Sequence, residues 1–243
     1  MENLTTEMYD DEHPSLKFVL TKGEFGKNLY KEYKSLVEKN FDNHRILNVL
    51  KFYGDVIKGS NPFSIALFNQ IIPEELKVAG PKDLEKMIRW DFYSIRGLHN
   101  DSGIVLRDNS EPNSYLANKL KMDIYEQKIL ELPVMIPLSE LRLIKDDKAP
   151  YGLALKLKEN AEIYSIPILS QEGFFKSEEI DEESGLPKIL YESKNEIFDR
   201  KLFSLDNKHG LTRLYLDPYN DIQTHYPDLN DSYLAGRVLL VKR

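Results

Sequence analysis

The chain has 243 residues, 41% of them apolar and 30% charged, with 12 Gly and 12 Pro. That balance excludes collagen-like, low-complexity and wholly disordered classes and fits one large domain or two small ones. A net charge of −7 supplies no broad cationic surface for a phosphate backbone, which excludes nucleic acid as a partner. Without a single Cys there is no disulfide framework, thiolate metal site or cysteine nucleophile, and stability has to come from the core.

Met1-Glu2-Asn3-Leu4 has neither the basic nor the apolar region of a signal peptide, and Glu2 to His13 is acidic and reads as frayed. Leu16 to Leu20 alternates as a short strand. From Phe25 to Phe41 the residues Leu29, Tyr30, Tyr33, Leu36 and Val37 recur at three and four, the period of a helix with a lysine-rich outer face. A second helix is expected from a cap at Asp42 or Asn43 through Ile57, apolar over a wide arc and well buried. The weakly charged run Gly59 to Pro73 is too polar and too short for a membrane span. Its Pro62 to Ile72 reads as a third helix, and Pro81 to Trp90 as a fourth with proline in the first turn. Residues 1–95 are thus expected to be mainly helical, and residues 96–243 to form the second unit.

Past Asp91 the signal turns to strands: Gly103 to Arg107, then a loop over Asp108 to Asn113, then a helix over Tyr115 to Gln127. Ile129 to Ile136, Leu141 to Ile144, Tyr151 to Leu157 and Ala161 to Leu169 follow as β-favouring runs expected to pair mostly antiparallel. The acidic stretch Ser177 to Ser184 reads as a solvated loop rather than a metal site. Leu211 to Leu216 and Val238 to Lys242 complete the strands, with a turn-rich segment between them, and no internal repeat is present.

Little in this pattern carries catalysis. The five histidines, His13, His44, His99, His209 and His225, never fall at the spacing that puts two imidazoles on one helix face. The glycine-rich phosphate and dinucleotide loops, the serine elbow and the zinc-protease motif are all missing. The pairs Asp146–Asp147 and Glu178–Glu179 sit beside lysines in polar loops, without the burial that raises a catalytic pKa.

Asp217 to Ala235 is different in kind. It holds three Tyr, four Asp and two Asn with no Lys, Arg or Glu, although Lys and Glu together account for 46 of the 243 residues. Tyr with Asn, Ser and His is the vocabulary of a binding loop. The same residues also build long surface turns, and Asp217, Asn220 and Asp221 are oxygen donors without the spacing of a calcium loop.

A resemblance separates these readings. Gly210-Leu211-x-Arg213-Leu214-x-Leu216, followed by Ile222, Leu229, Ser232 and Gly236-Arg237-Val238, resembles the C-terminal end of variable proteins diversified by retroelements in archaea and small-genome bacteria. Those proteins are C-type-lectin-like. In them an error-prone copy of a template replaces Asn-type codons while a framework stays fixed. Substitution of the first two bases of such a codon cannot give Lys, Glu, Gln, Met or Trp, and between Asp217 and Ala235 only Gln223 belongs to that set. The pattern departs from the family at Ile222, where Leu is expected, and at Asn230, where Ala is usual.

The resemblance implies an α+β chain with a C-type-lectin-like domain, a mainly antiparallel sheet and a variable region of about residues 210–238. It implies a non-catalytic, cofactor-free protein, not an enzyme, that binds a protein or other macromolecule. The implied ligand surface is Thr212, Asp217, Tyr219, Asn220, His225, Tyr226, Pro227, Asp228, Asn230, Asp231 and Tyr233, with tyrosines as anchors and aspartates favouring basic partners. Leu214, Leu216 and Leu229 would be buried framework, and Arg237 a donor to loop carbonyls. An assembly protein whose C-terminal loop fills an interface is the alternative, and an enzyme of another class the second. The expected location is cytoplasmic or virion-associated.

Overall fold

The computed structural model describes residues 18–91, 93, 95–127, 131–204 and 209–243. The expectations for Glu2 to His13, Leu16 and Lys17, and Ile129 and Leu130 lie outside these residues. The architecture is α+β, with four helices and a mixed, mostly antiparallel seven-stranded sheet.

In chain order the first elements are β1 (Phe18–Leu20), α1 (Gly23–Asn40), β2 (Lys51–Tyr53), β3 (Val56–Lys58), α2 (Pro62–Phe68), β4 (Leu76–Val78) and α3 (Pro81–Trp90). Next come β5 (Asn100–Leu106), α4 (Ser114–Gln127), β6 (Val134–Pro137), β7 (Leu141–Lys145), β8 (Leu153–Leu157) and β9 (Tyr164–Ser165). The last are β10 (Gly173–Phe175), β11 (Arg200–Phe203), β12 (Leu211–Leu216), β13 (Ile222–Gln223) and β14 (Leu239–Lys242).

The expected helix over Asp42 to Ile57 does not form. Asp42 and Asn43 adopt φ of 52° and 54°, ending α1 in a left-handed turn rather than capping a new helix. Arg45–Val49 is a 3-10 turn, and the remaining apolar residues enter the β2–β3 hairpin, whose two-residue turn Gly54-Asp55 has positive φ at both positions. Four short strands, β1 to β4, accompany the helices α1, α2 and α3 in the N-terminal part. Ala161 to Leu169 yields only β9, because Pro167 opens a 3-10 turn there.

The large sheet runs β10-β11-β13-β12-β5-β6-β9, with β11–β13 its parallel pair. Its middle strands are covered on both sides. Ile104, Leu106, Val134, Ile136 and Leu211 join one core with residues of α1, α2 and α4. Val105, Met135, Leu214 and Leu216 join a second core with Leu84, Met87 and Ile88 of α3. β12 is therefore buried along all six residues, and Leu214 and Leu216 have no solvent-facing neighbour within the strand. In the small sheet β14 lies between β1 and β4, and it places Leu240 in the first core and Leu239 and Val241 in the second.

The helices start as their sequences dictate. Asn61 accepts the Ser64 N–H at 2.7 Å ahead of Pro62, and Asp83 accepts the Gly80 N–H at 3.0 Å beside Pro81. Among the described residues no helix is long and apolar enough to cross a membrane.

Candidate functional site

The segment from Asp217 to Arg237 leaves β12 through a tight turn. Asp217 Oδ1 accepts the Tyr219 and Asp221 N–H groups at 2.8 and 3.1 Å, and Asn220 takes φ 69°. The chain then returns through β13 alongside β12, where the Arg213 N–H donates to the Tyr226 carbonyl at 3.0 Å. It closes against residues far away in sequence, with Tyr233 N donating to Ser60 O at 3.1 Å and Gly59 N to Gly236 O at 3.0 Å. Gly236 packs so tightly that an added Cβ would overlap the Ser60 side chain. Leu229 is fully buried beneath the loop.

Three buried guanidinium groups hold this segment by its carbonyls. Arg213 pairs bidentately with Asp101 at 2.7 Å to both oxygens, each side chain wholly buried, and donates to the Asp231 carbonyl at 3.0 Å. The second Asp101 oxygen also takes a short hydrogen bond from Ser60 Oγ. Arg200 forks onto Glu85 and donates through Nε to the Asn220 carbonyl at 2.5 Å. Arg107 donates to Thr212 Oγ1 at 2.7 Å, Ser204 Oγ at 2.9 Å and the Thr224 carbonyl at 3.3 Å. Burial pulls the Arg107 pKa down to about 10. Planar forks suit this work because one cation can serve several fixed acceptors. Half-buried Asn113 adds a bond to the Pro227 carbonyl at 2.6 Å, and Arg237 Nη1 reaches the Ala235 and Gly236 carbonyls at 3.0 and 2.9 Å.

Above the Arg213–Asp101 pair lies a chain of rings. His99 stacks between Tyr233, at 3.4 Å between centroids, and Tyr215, at 4.3 Å. Tyr226 meets Tyr215 edge-on at 6.4 Å, and His225 meets Tyr226 at 5.6 Å. The Arg213 guanidinium lies 4.9 Å from the Tyr233 ring centre, an added cation–π contact. Burial lowers the His99 pKa to about 4 and raises the hydroxyls of Tyr215 and Tyr233. His99 is thus neutral near pH 7, with its Nε2 buried and unpartnered.

The sequence-proposed surface is only partly displayed. Tyr219, Pro227 and Asp228 are exposed, whereas Asp217, His225, Tyr226, Asn230, Asp231 and Tyr233 are half-buried. Thr212 and Asn220 are corrections: both are wholly buried, Thr212 because its hydroxyl bridges Arg107 and the Thr224 carbonyl, Asn220 because it turns inward over Arg200. His225, Tyr226 and Tyr233 converge with Asn230 and Asp231 beside them, while Tyr219 stands apart on the Asp217 turn. The carboxylates of a calcium loop are already engaged, Asp217 by two N–H groups and Gln223 and Asp221 by the Lys201 N–H. Among the described residues no three His, Asp or Glu side chains converge as a metal site.

Sequence reasoning missed Ser60, His99, Asp101, Arg107, Arg200 and Tyr215. One signal was available: Arg213 is a lone charge inside the apolar run Leu211 to Leu216, and a charge at such a position requires a buried partner. No protein-family model, curated protein or solved structure matches the chain.

Proposed function

We propose that the protein is a non-catalytic binder that presents the segment Asp217 to Tyr233 to a macromolecular partner, on a C-type-lectin-like scaffold whose segment is diversified by a retroelement. The observation that carries this reading is the mode of anchoring. Arg213, Arg200, Arg107, Asn113 and Ser60 all grip main-chain atoms of the segment. Contacts to carbonyls and N–H groups are indifferent to the side chains that point outward, so Tyr219, Tyr226, Asp228 and Asn230 can change without dismantling the loop, whereas Tyr233 is tied into the stack with His99. Half-buried Tyr226 and Tyr233 supply stiff aromatic area, and a few such anchors on a fixed backbone carry most of an interface's binding energy. Asp217, Asp228 and Asp231 bias the partner toward positive charge.

The test has two arms. The locus should carry a reverse-transcriptase gene and a near-copy of the sequence encoding Gly210 to Val238, differing at template adenines. A displayed library randomised at Tyr219, Tyr226, Asp228 and Asn230 should stay mostly folded by protease resistance, and one randomised at Thr212, Asn220 and Leu229 should not. A locus without the cassette and a first library as unstable as the second would leave the segment as interface filler in an assembly protein.

A further inference from the structure

A second surface is built on the opposite edge of the large sheet from β10. β10 and β11 pair as a hairpin, yet residues 176–199 between them hold only a 3-10 turn at Ser177–Glu179 and two isolated bridges, Ile180 to Pro187 and Tyr191 to Phe174. A connection that long without regular structure is uncommon in a packed domain unless it has work to do. It carries eight acidic residues against three lysines. Glu178, Glu183 and Glu192 form no ion pair among the described residues, while Glu182 and Glu196 pair with Arg89 and Lys176.

This excursion forms one wall of an open groove of about 620 Å³. The other wall is β9 and the turn after it. The lining sets apolar Ile166, Pro167 and Ile168 on one side against Pro187, Ile189 and Leu190 on the other, with polar Gln171 and Ser184 and the Asp181–Lys188 ion pair, 3.8 Å apart, beside them. Ile189 is 51% exposed. β9 is the last strand of its sheet. The Ile166 N–H donates to the carbonyl of Pro133, the residue before β6, at 2.9 Å, and Ser165 sits opposite Val134. Antiparallel pairing alternates bonded and non-bonded positions, so the Ser165 N–H and C=O face away from β6, and Ser165 itself lines the groove. An unpaired strand edge next to apolar pockets is the geometry by which a sheet accepts an added strand.

We infer that this groove binds an extended segment of a partner protein that carries apolar side chains flanked by Lys or Arg, with Ser165 pairing to its backbone. The apolar walls select Val, Ile or Leu. The groove's own charges, Asp181 and Lys188, are paired, so selection for positive charge comes from the wall around it, where residues 176–199 carry eight acids against three lysines and favour Lys or Arg flanking the apolar side chains. This surface is independent of the C-terminal segment, so the two readings stand or fall separately.

The test is a random peptide library displayed on phage and selected on the full chain. Enriched peptides should combine apolar residues with an excess of Lys and Arg. A synthetic copy of the leading peptide should lose about tenfold or more in affinity on Ile189→Glu, weaken as salt rises, bind Tyr226→Ala unchanged and slow amide exchange at Ser165. Ile189 is exposed enough for the variant to fold, which its unchanged melting curve would verify. No enrichment, acidic peptides, equal binding to Ile189→Glu, or loss on Tyr226→Ala would each overturn the inference. So would a dimer of the chain that excludes the peptide, because the groove's occupant would then be a second copy.

Discussion

Replacing Arg213 by Met tests whether the buried ion pair organises the C-terminal segment. Arg213 and Asp101 have no exposed side-chain surface, so the substitution strands a carboxylate in the interior with the Ser60 hydroxyl as its donor. Breaking one partner of such a pair costs about 3–5 kcal/mol. In a chain of this size each kcal/mol moves the melting temperature by roughly 2–4 °C, so a fall of about 6–20 °C is expected. The substitution also removes the donor to the Asp231 carbonyl, and amide exchange at Asp231 to Tyr233 should accelerate beyond the global change. Urea unfolding followed by circular dichroism measures the first effect and hydrogen exchange the second. The double variant Arg213→Met with Asp101→Leu removes the stranded charge and should recover at least half of the loss, a coupling that a double-mutant cycle reads directly. If the single variant stays within about 1 kcal/mol of wild type, or the double variant loses the sum of both singles, the pair does not organise the segment.

His99 has a folded pKa of about 4 against an ordinary 6.5, so as pH falls the unfolded chain takes up the proton first. Stability is full above pH 6.5 and falls by roughly 3 kcal/mol as pH drops to 4. His99→Phe keeps a ring in the stack and should flatten that slope in pH-dependent urea titrations, and an unchanged slope would assign it to other groups. Gly236→Ala forces a methyl into the Ser60 side chain and should cost about 1–3 kcal/mol, measured by thermal melting. Leu229→Ala should cost about 2–5 kcal/mol through a cavity, whereas Tyr219→Ser, at a position 67% exposed, should stay within about 0.5 kcal/mol. Comparable losses for both would mean that framework and displayed positions are interchanged.

The long amphipathic segments were legible because their period is local. α1, α3 and α4 fall where spacing places them, as do β7, β12 and β14. Asp42 to Ile57 was misread because the apolar residues of a 3-10 turn followed by a hairpin, Ile46 to Tyr53 and then Val56 and Ile57, make a run as rich in apolar residues as a buried helix. The Gly54-Asp55 dipeptide was the hairpin signal that should have outweighed it. In the candidate site, Leu229 and Arg237 have the roles their residue types suggest. Thr212 and Asn220 were misplaced because small polar residues look alike at a surface and in a satisfied interior. The partners of Arg213 and Arg200, Asp101 and Glu85, lie more than a hundred residues upstream, a separation that no periodicity encodes.

The place of β14 between β1 and β4 sets an order of events during synthesis. Among the described residues neither outer strand has another partner in the sheet. Both therefore wait, with their edges open, until Leu239 to Lys242 have left the ribosome. The two cores are joined at Leu239, Leu240 and Val241 by the same late arrival. A ribosome stalled shortly before these codons would hold a nascent chain with most of its helices made and neither core closed, a state in which exposed strand edges invite pairing between neighbouring chains.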